Sequence, residues 1–399
     1  MGRLTCCSLE KPCLILNINE ISVFFMLLVV SSCGLKDEIF VVDVLSVPTE
    51  TVNFLSDVAE NIDYVPLETK QECLIGDIHN FSVTDNGKFY VNQIGRGILA
   101  FDSTGKFLYK LDNEGRGPGE YGRIIDFDVS RDDKYLVILT LKSELNVFEI
   151  EEKSFNLLQN ISLKGPMPGN IDIVGKNNIV LTYASIYGFE PFHSLILSLS
   201  GDTIDYRENY CQYVKNDALM TGTRENIVYK YGDIRFKGVF SDTVFAFNDV
   251  SGYTPSFILD SRGKLPMAED RVSGLSFNNL RDEFLIIASI DESYRYLFYC
   301  YEYKGESVYN IFDKETSKKY YVDNKIKLKD DLMGGINFFP LFTVDGVLFM
   351  WVDASVLKKH IASDDFKNVV VKYPEKKQKL LELATNLDET DNPVLIVVR

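Results

Sequence analysis

Histidine is nearly absent from this 399-residue chain: His79, His193 and His360 are the only three, far apart and in unrelated contexts. No two of them have the helix or hairpin spacing of a zinc or iron site, so no metal is expected. Positive charge is also short. Lys and Arg number 42 against 58 Asp and Glu, a formal net charge of −16. Nucleic-acid affinity rests on neutralising phosphates with basic side chains, so this balance excludes a nucleic-acid partner and points to solubility instead. Cysteine forms no pattern. Cys73, Cys211 and Cys300 follow residue 33 at wide spacing, an odd number without a CxxC pair. Separate buried thiols are expected rather than a disulfide framework. Three further signatures are missing: the Gly-x-Ser-x-Gly elbow, the P-loop and the dinucleotide-binding glycine motif. Asp85-Asn86-Gly87 and Asp102-Ser103-Thr104-Gly105 lack the repeated acidic positions of a calcium loop and read as turns. No cofactor is expected.

What is present is a globular composition, 46% hydrophobic and 13% aromatic. The N-terminus reads as a targeting segment. Ile21 to Ser32 is apolar but too short to span a bilayer as a stable helix, and about right for a signal-peptide core. It runs into Val30-Ser31-Ser32-Cys33. Small residues directly before a cysteine resemble the lipobox of bacterial lipoproteins, which implies lipidation of Cys33 and a membrane attachment through that anchor only. Gly34-Leu35-Lys36-Asp37-Glu38 resembles the surface-export tag of lipoproteins in the Bacteroides group. Residues before Cys33 carry Arg3 and Lys11 against Glu10 and Glu20, so the mature chain would hold the whole −16. The expected organisation is a signal peptide over 1–33, a tether and first strand over 34–60, and one domain over 61–399.

That domain reads as β throughout. Tyr135-Leu136-Val137-Ile138-Leu139 suits a strand buried on both faces. Leu145 to Ile150 alternates with period two. Ile98 to Phe101 and Phe107 to Leu111 flank the turn Asp102-Ser103-Thr104-Gly105, a hairpin signal. Pro66 assigns the strand Ile62 to Glu68 to an edge or a strand end. The chain closes on another strand, Pro393 to Val398. Only Ser355 to Ala362 and Pro374 to Leu387 look helical, the second with Leu380, Leu381, Leu383 and Ala384 on one face. Turns such as Asp85-Asn86-Gly87, Ser200-Gly201-Asp202 and Val344-Asp345-Gly346 recur between apolar runs. Short strands without helical alternation imply a sandwich, a barrel or a propeller. The mature length exceeds one sandwich and fits about six to eight four-stranded blades of roughly 40 to 50 residues.

Several stretches carry a family resemblance: Asp63 to Thr69, Ile98 to Phe107, Gly115 to Tyr121, Asp126-Phe127-Asp128, and the closing Asp391 to Leu395. They resemble the six-bladed β-propeller lipoproteins of the Bacteroides group, which are distantly similar to NHL-repeat proteins. The resemblance implies an all-β six-bladed β-propeller whose ring is closed by pairing of the N- and C-terminal strands. It implies an outer-membrane lipoprotein facing the periplasm or the cell surface, and it supplies no catalytic residues.

Two loops hold the candidate ligand-binding side chains. Gly115 to Tyr121 sets Arg116, Glu120 and Tyr121 into a glycine- and proline-stiffened loop. Arg116 suits a carboxylate or sugar hydroxyl, with the other two as partners; in the competing role Arg116 and Glu120 pair with each other or with a neighbouring blade and fix the blade-to-blade crossover. Tyr183 to His193 places Tyr187, Glu190 and His193 among aromatics, suited either to stacking on a carbohydrate or an apolar ligand or to packing between blades. The expected function is non-catalytic binding of an envelope protein or a glycan. The alternative is a glycan-active hydrolase or lyase, recognisable by clustered carboxylates with shifted pKa values.

Overall fold

The computed structural model describes residues 39–399, apart from 49, 94–96, 116, 118, 152–153, 176, 185–187, 215–225, 249–251 and 272–281. Cys33 therefore lies outside the described residues, as do Arg116 and Tyr187. The described chain is mostly β. Its strands pair into five sheets of nine, five, four, four and four strands.

Sheet I has nine strands, in the order Phe40–Asp43, Gly252–Asp260, Thr243–Asn248, Asp233–Lys237, Ile227–Tyr231, Phe342–Val344, Val347–Val352, Val394–Val398 and Ile62–Pro66. Sheet II runs Glu50–Thr51, Lys319–Val322, Glu306–Asp313, Tyr296–Tyr303 and Ile286–Glu292. Sheets III, IV and V are four-stranded antiparallel meanders starting at Asn80–Val83, Ile124–Val129 and Asn170–Val174. The hairpin read at Ile98 to Leu111 is present in sheet III as Gly97–Phe101 and Phe107–Leu111. The Asp102 carboxylate fixes its turn, accepting from the Thr104 and Lys106 amides at 2.8 and 3.1 Å. Gly105 there has φ +83°, and a Cβ on it would fall 2.1 Å from the Pro66 carbonyl. The turn therefore needs glycine.

The expectation of a six-bladed propeller closed into a ring is corrected by this pairing. The five sheets are open and no closed six-blade ring is present among the described strands. The expected pairing of chain ends exists, with Val394↔Pro66 through Val398↔Ile62 in antiparallel register, and Ile62–Pro66 is an edge strand as Pro66 requires. It joins an edge of sheet I and does not close a ring. The physical reason for the difference is one backbone contact. Lys230 pairs in parallel with Val344, which fuses two groups of strands into the nine-stranded sheet. Turn spacing counts strands but does not say which strands from distant groups bond.

Apolar cores lie between the sheets. Phe81, Phe89 and Phe101 of sheet III meet Phe349, Leu395 and Val397 of sheet I. Val137, Leu139 and Val147 of sheet IV meet Ile171, Ile173 and Leu181 of sheet V. Near the C-terminus come three helices: α1, Ala354–Ala362; α2, Asp364–Asn368; and α3, Pro374–Asn386. Their Leu357, Ile361, Phe366, Leu380 and Ala384 join a core with Ile396 and Val398. Leu381 does not share that face; it is 38% exposed.

Candidate functional site

The first strands of sheets III, IV and V carry polar residues on one face and core residues on the other, as period-two alternation dictates. In Ile124–Val129, Phe127 and Val129 enter a core while Asp126 and Asp128 turn away from it. In Asn170–Val174, Ile171 and Ile173 enter a core and Asn170 and Asp172 alternate with them.

The two carboxylates of Ile124–Val129 bridge the strands on either side. Asp126 accepts from Asn80 Nδ2 at 2.5 Å on one oxygen and from the Ile171 amide at 3.0 Å on the other. The Phe127 amide adds a bond at 3.0 Å. Asp128 repeats the scheme two residues on. It accepts from Ser82 Oγ at 2.8 Å and from the Ile173 amide at 2.7 Å. Lys230, from sheet I, ion-pairs with Asp128. Sheets III, IV, V and I thus meet at one buried polar cluster.

Electrostatics separate its members. Burial raises the Asp126 pKa to about 7, against the hydrogen bonds from Ile171 and Phe127 that favour its charged form. Asp172 is half-buried, and its pKa is raised by burial and by the neighbouring negative charges of Asp128 and Asp126, with Lys230 opposing. Burial works against the Lys230 ammonium, but Asp128 and Asp172 more than offset it and its pKa is raised. Glu292 of sheet II is saturated in a similar way. Tyr229 Oη donates to it at 3.0 Å, Lys314 Nζ lies at 2.9 Å and Arg235 Nε at 3.6 Å.

The residues singled out from sequence are dispersed. Glu120 folds back on its own loop, its Oε2 accepting from the Gly117 amide at 2.6 Å. Tyr121 is 1% exposed; its hydroxyl donates to the Leu111 carbonyl at 2.9 Å and its ring meets Phe148 edge-on at 6.1 Å. Glu190 is also 1% exposed and accepts from the Gly188 amide at 2.8 Å. His193 packs on Phe236, ring centroids 6.1 Å apart. Burial, with the Arg207 charge, lowers its pKa to about 4, so the imidazole is neutral at pH 7. Asp128, Asp172 and Lys230 were not among the sequence candidates; alternating charges inside an apolar strand, Ile-Asp-Phe-Asp-Val, were the available signal.

Among the described residues no group of three or more His, Cys, Asp or Glu is arranged to hold a metal ion. No described helix is long and apolar enough to cross a membrane.

The family model described as "Domain of unknown function (DUF4934)" matches residues 39–399. No protein in the curated set matches. The chain is similar to the crystal structure of a candidate exported protein from Bacteroides fragilis NCTC 9343, with 21% identity over 90% of this chain and 98% of that one and a TM-score of 0.65. At that identity the likeness concerns the fold. A member of the duf4221 family from Bacteroides vulgatus matches at 12% identity over 66% of this chain and 84% of that one, with a TM-score of 0.42.

Proposed function

We propose a function from one premise: the chain belongs to the DUF4934 family. Its role is that of a binding or scaffold module of the bacterial cell envelope, lipid-anchored at Cys33 in the outer membrane and facing the periplasm or the cell surface. The observation that carries the binding reading is the employment of three buried carboxylates, Asp126, Asp128 and Glu292. Asp126 and Asp128 each bond strands on both sides, and Glu292 holds a tyrosine and two cations. A general acid or base needs a carboxyl free to exchange a proton with a substrate, and these three are occupied. The location is supported by the lipobox-like run before Cys33 and by the exported relative from Bacteroides fragilis.

Asp172 supports the second reading, a glycan-active hydrolase or lyase, because it is half-buried with a raised pKa. One assay separates them. The chain from Lys36 onward is immobilised and offered envelope proteins and glycans. Retention without release of reducing ends or unsaturated sugars is expected. Product formation that Asp172→Asn abolishes would replace binding by catalysis. For the location, Cys33→Ala should move the full chain from the membrane fraction to the soluble one; unchanged retention would remove the anchor.

A further inference from the structure

A recess of about 290 Å3 lies between the strand Ile286–Glu292 of sheet II and the strand Val347–Val352 of sheet I, away from the Asp126 cluster. Two opposite charges line it, Asp291 and Lys327. Asp291 is 5% exposed and stands on a paired strand position opposite Phe298. Burial alone acts on its carboxyl, pushing its pKa to about 7. Among the described residues no hydrogen bond or ion pair reaches that carboxylate. Asp126, Asp128, Glu190 and Glu292, by contrast, all have donors.

Lys327 forms no ion pair among the described residues either. Its ammonium lies 2.8 Å from the centroid of the Tyr309 ring and 5.4 Å from that of Phe339. Its ammonium also donates to Asn324 Oδ1 at 3.4 Å. Burial lowers its pKa to about 8, with Cys300 and Asp323 opposing. Its backbone is held at φ +60°, in the left-handed region that a lysine rarely enters. The Lys327 amide donates to the Asp323 carbonyl at 2.8 Å, and Leu328 and Phe338 exchange bonds of 3.1 and 2.7 Å on its other side.

A buried charge without a partner is costly, and Asp291 is in that position. Lys327, half-buried and stacked on Tyr309, brings the opposite charge to the same recess without pairing with Asp291. An organic cation would satisfy Asp291 and crowd Lys327; an anion would do the reverse. A ligand that carries both charges satisfies both. Phe339, Pro340, Leu341 and Met350 give the wall an apolar side, and Ser289, Tyr309 and Asn337 complete the lining. The volume sits near the lower end of small-ligand sites, roughly 300 Å3. We propose that this recess binds a zwitterionic ligand of amino-acid size, its ammonium on Asp291, its carboxylate at Lys327 and an apolar side chain against Phe339 and Met350. The site is independent of the scaffold reading and stands or falls separately from it.

Isothermal titration of the chain from Lys36 onward at pH 7.5 tests it, with L-leucine, L-methionine and L-phenylalanine as probes. At least one should bind. For L-phenylalanine as the binder, 2-phenylethylamine and 3-phenylpropionate, each lacking one charge, should bind about tenfold more weakly or not at all. Asp291→Asn and Lys327→Met should each weaken the amino acid by about tenfold or more while near-ultraviolet circular dichroism stays unchanged. No heat with any of the three amino acids at millimolar concentration would overturn the proposal. So would equal binding of a one-charge analogue, a comparison on the unmodified chain that does not depend on either variant folding.

Discussion

A Cβ on Gly335 would stand 1.9 Å from the Tyr64 hydroxyl. The two residues belong to opposite ends of the chain, and their closeness follows from Asp330. Its carboxylate accepts from Tyr64 Oη at 3.2 Å and from the Gly335 amide at 2.8 Å, while the Ile336 amide donates to Tyr64 Oη at 2.8 Å. Tyr64 lies on the edge strand Ile62–Pro66, so this knot pins the chain's first segment to the loop that leads toward the helices.

Gly335→Ala should therefore destabilise the fold by about 1–3 kcal/mol through overpacking. Tyr64→Phe removes a buried hydroxyl with two partners and should cost about 1–3 kcal/mol. The double variant should cost less than the sum, since Phe removes the nearest clashing atom, the hydroxyl, although ring Cζ at 2.4 Å still crowds the alanine. Urea denaturation of the three variants measures this.

Deleting Pro393–Arg399 should prevent folding to a soluble monomer. Val394–Val398 is buried at every position and bonded to Val347–Val352 on one side and Ile62–Pro66 on the other. Its loss exposes two strand edges and an apolar face, an invitation to aggregate. Size-exclusion chromatography reports the outcome; a monomer with the normal elution volume would contradict it.

Asp291 and Asp126 should contribute stability that falls as pH rises from about 4 to about 7, against an opposite contribution from His193, whose pKa is lowered to about 4. The Asp291 and Asp126 carboxyls titrate near 7 in the folded chain against an ordinary 3.8, burial being the main cause in both. Between these values the folded chain keeps protons that the unfolded chain has released, so raising the pH favours unfolding. Each group accounts for up to about 4 kcal/mol of this loss. Asp291→Asn should remove its share, read as a smaller difference between urea midpoints at pH 4.5 and 7.5. An unchanged difference would show that Asp291 is not buried as described.

Much of this fold is legible in the sequence where the signal is local. The Asp102 turn, the strand Tyr135–Thr140, the closing strand and two of the helices follow from alternation, glycine placement and apolar periodicity. The polar cluster is not local. Asp126 and Asp128 alternate with apolar residues on one strand, but their donors arrive from residues 45 and 46 positions away. The fusion of sheet I has no side-chain signature at all, because Lys230 and Val344 meet through backbone pairing. Glu190 illustrates the opposite error of emphasis. Its place among aromatics marks it for a ligand, while its carboxylate is buried and holds the amide of Gly188.

The claim that the carboxylates Asp126 and Asp128 are structural crosslinks is tested most directly by a double-mutant cycle on Asp128 and Lys230, which pair across 102 residues of chain. Asp128→Ala, Lys230→Met and the double variant are unfolded in urea at pH 7.5. Each single variant leaves a buried group without its partner and should cost about 3–5 kcal/mol, with the double variant costing clearly less than their sum. Single variants that leave stability unchanged, with no coupling between the two sites, would contradict the account and return Asp128 to the pool of groups available for chemistry.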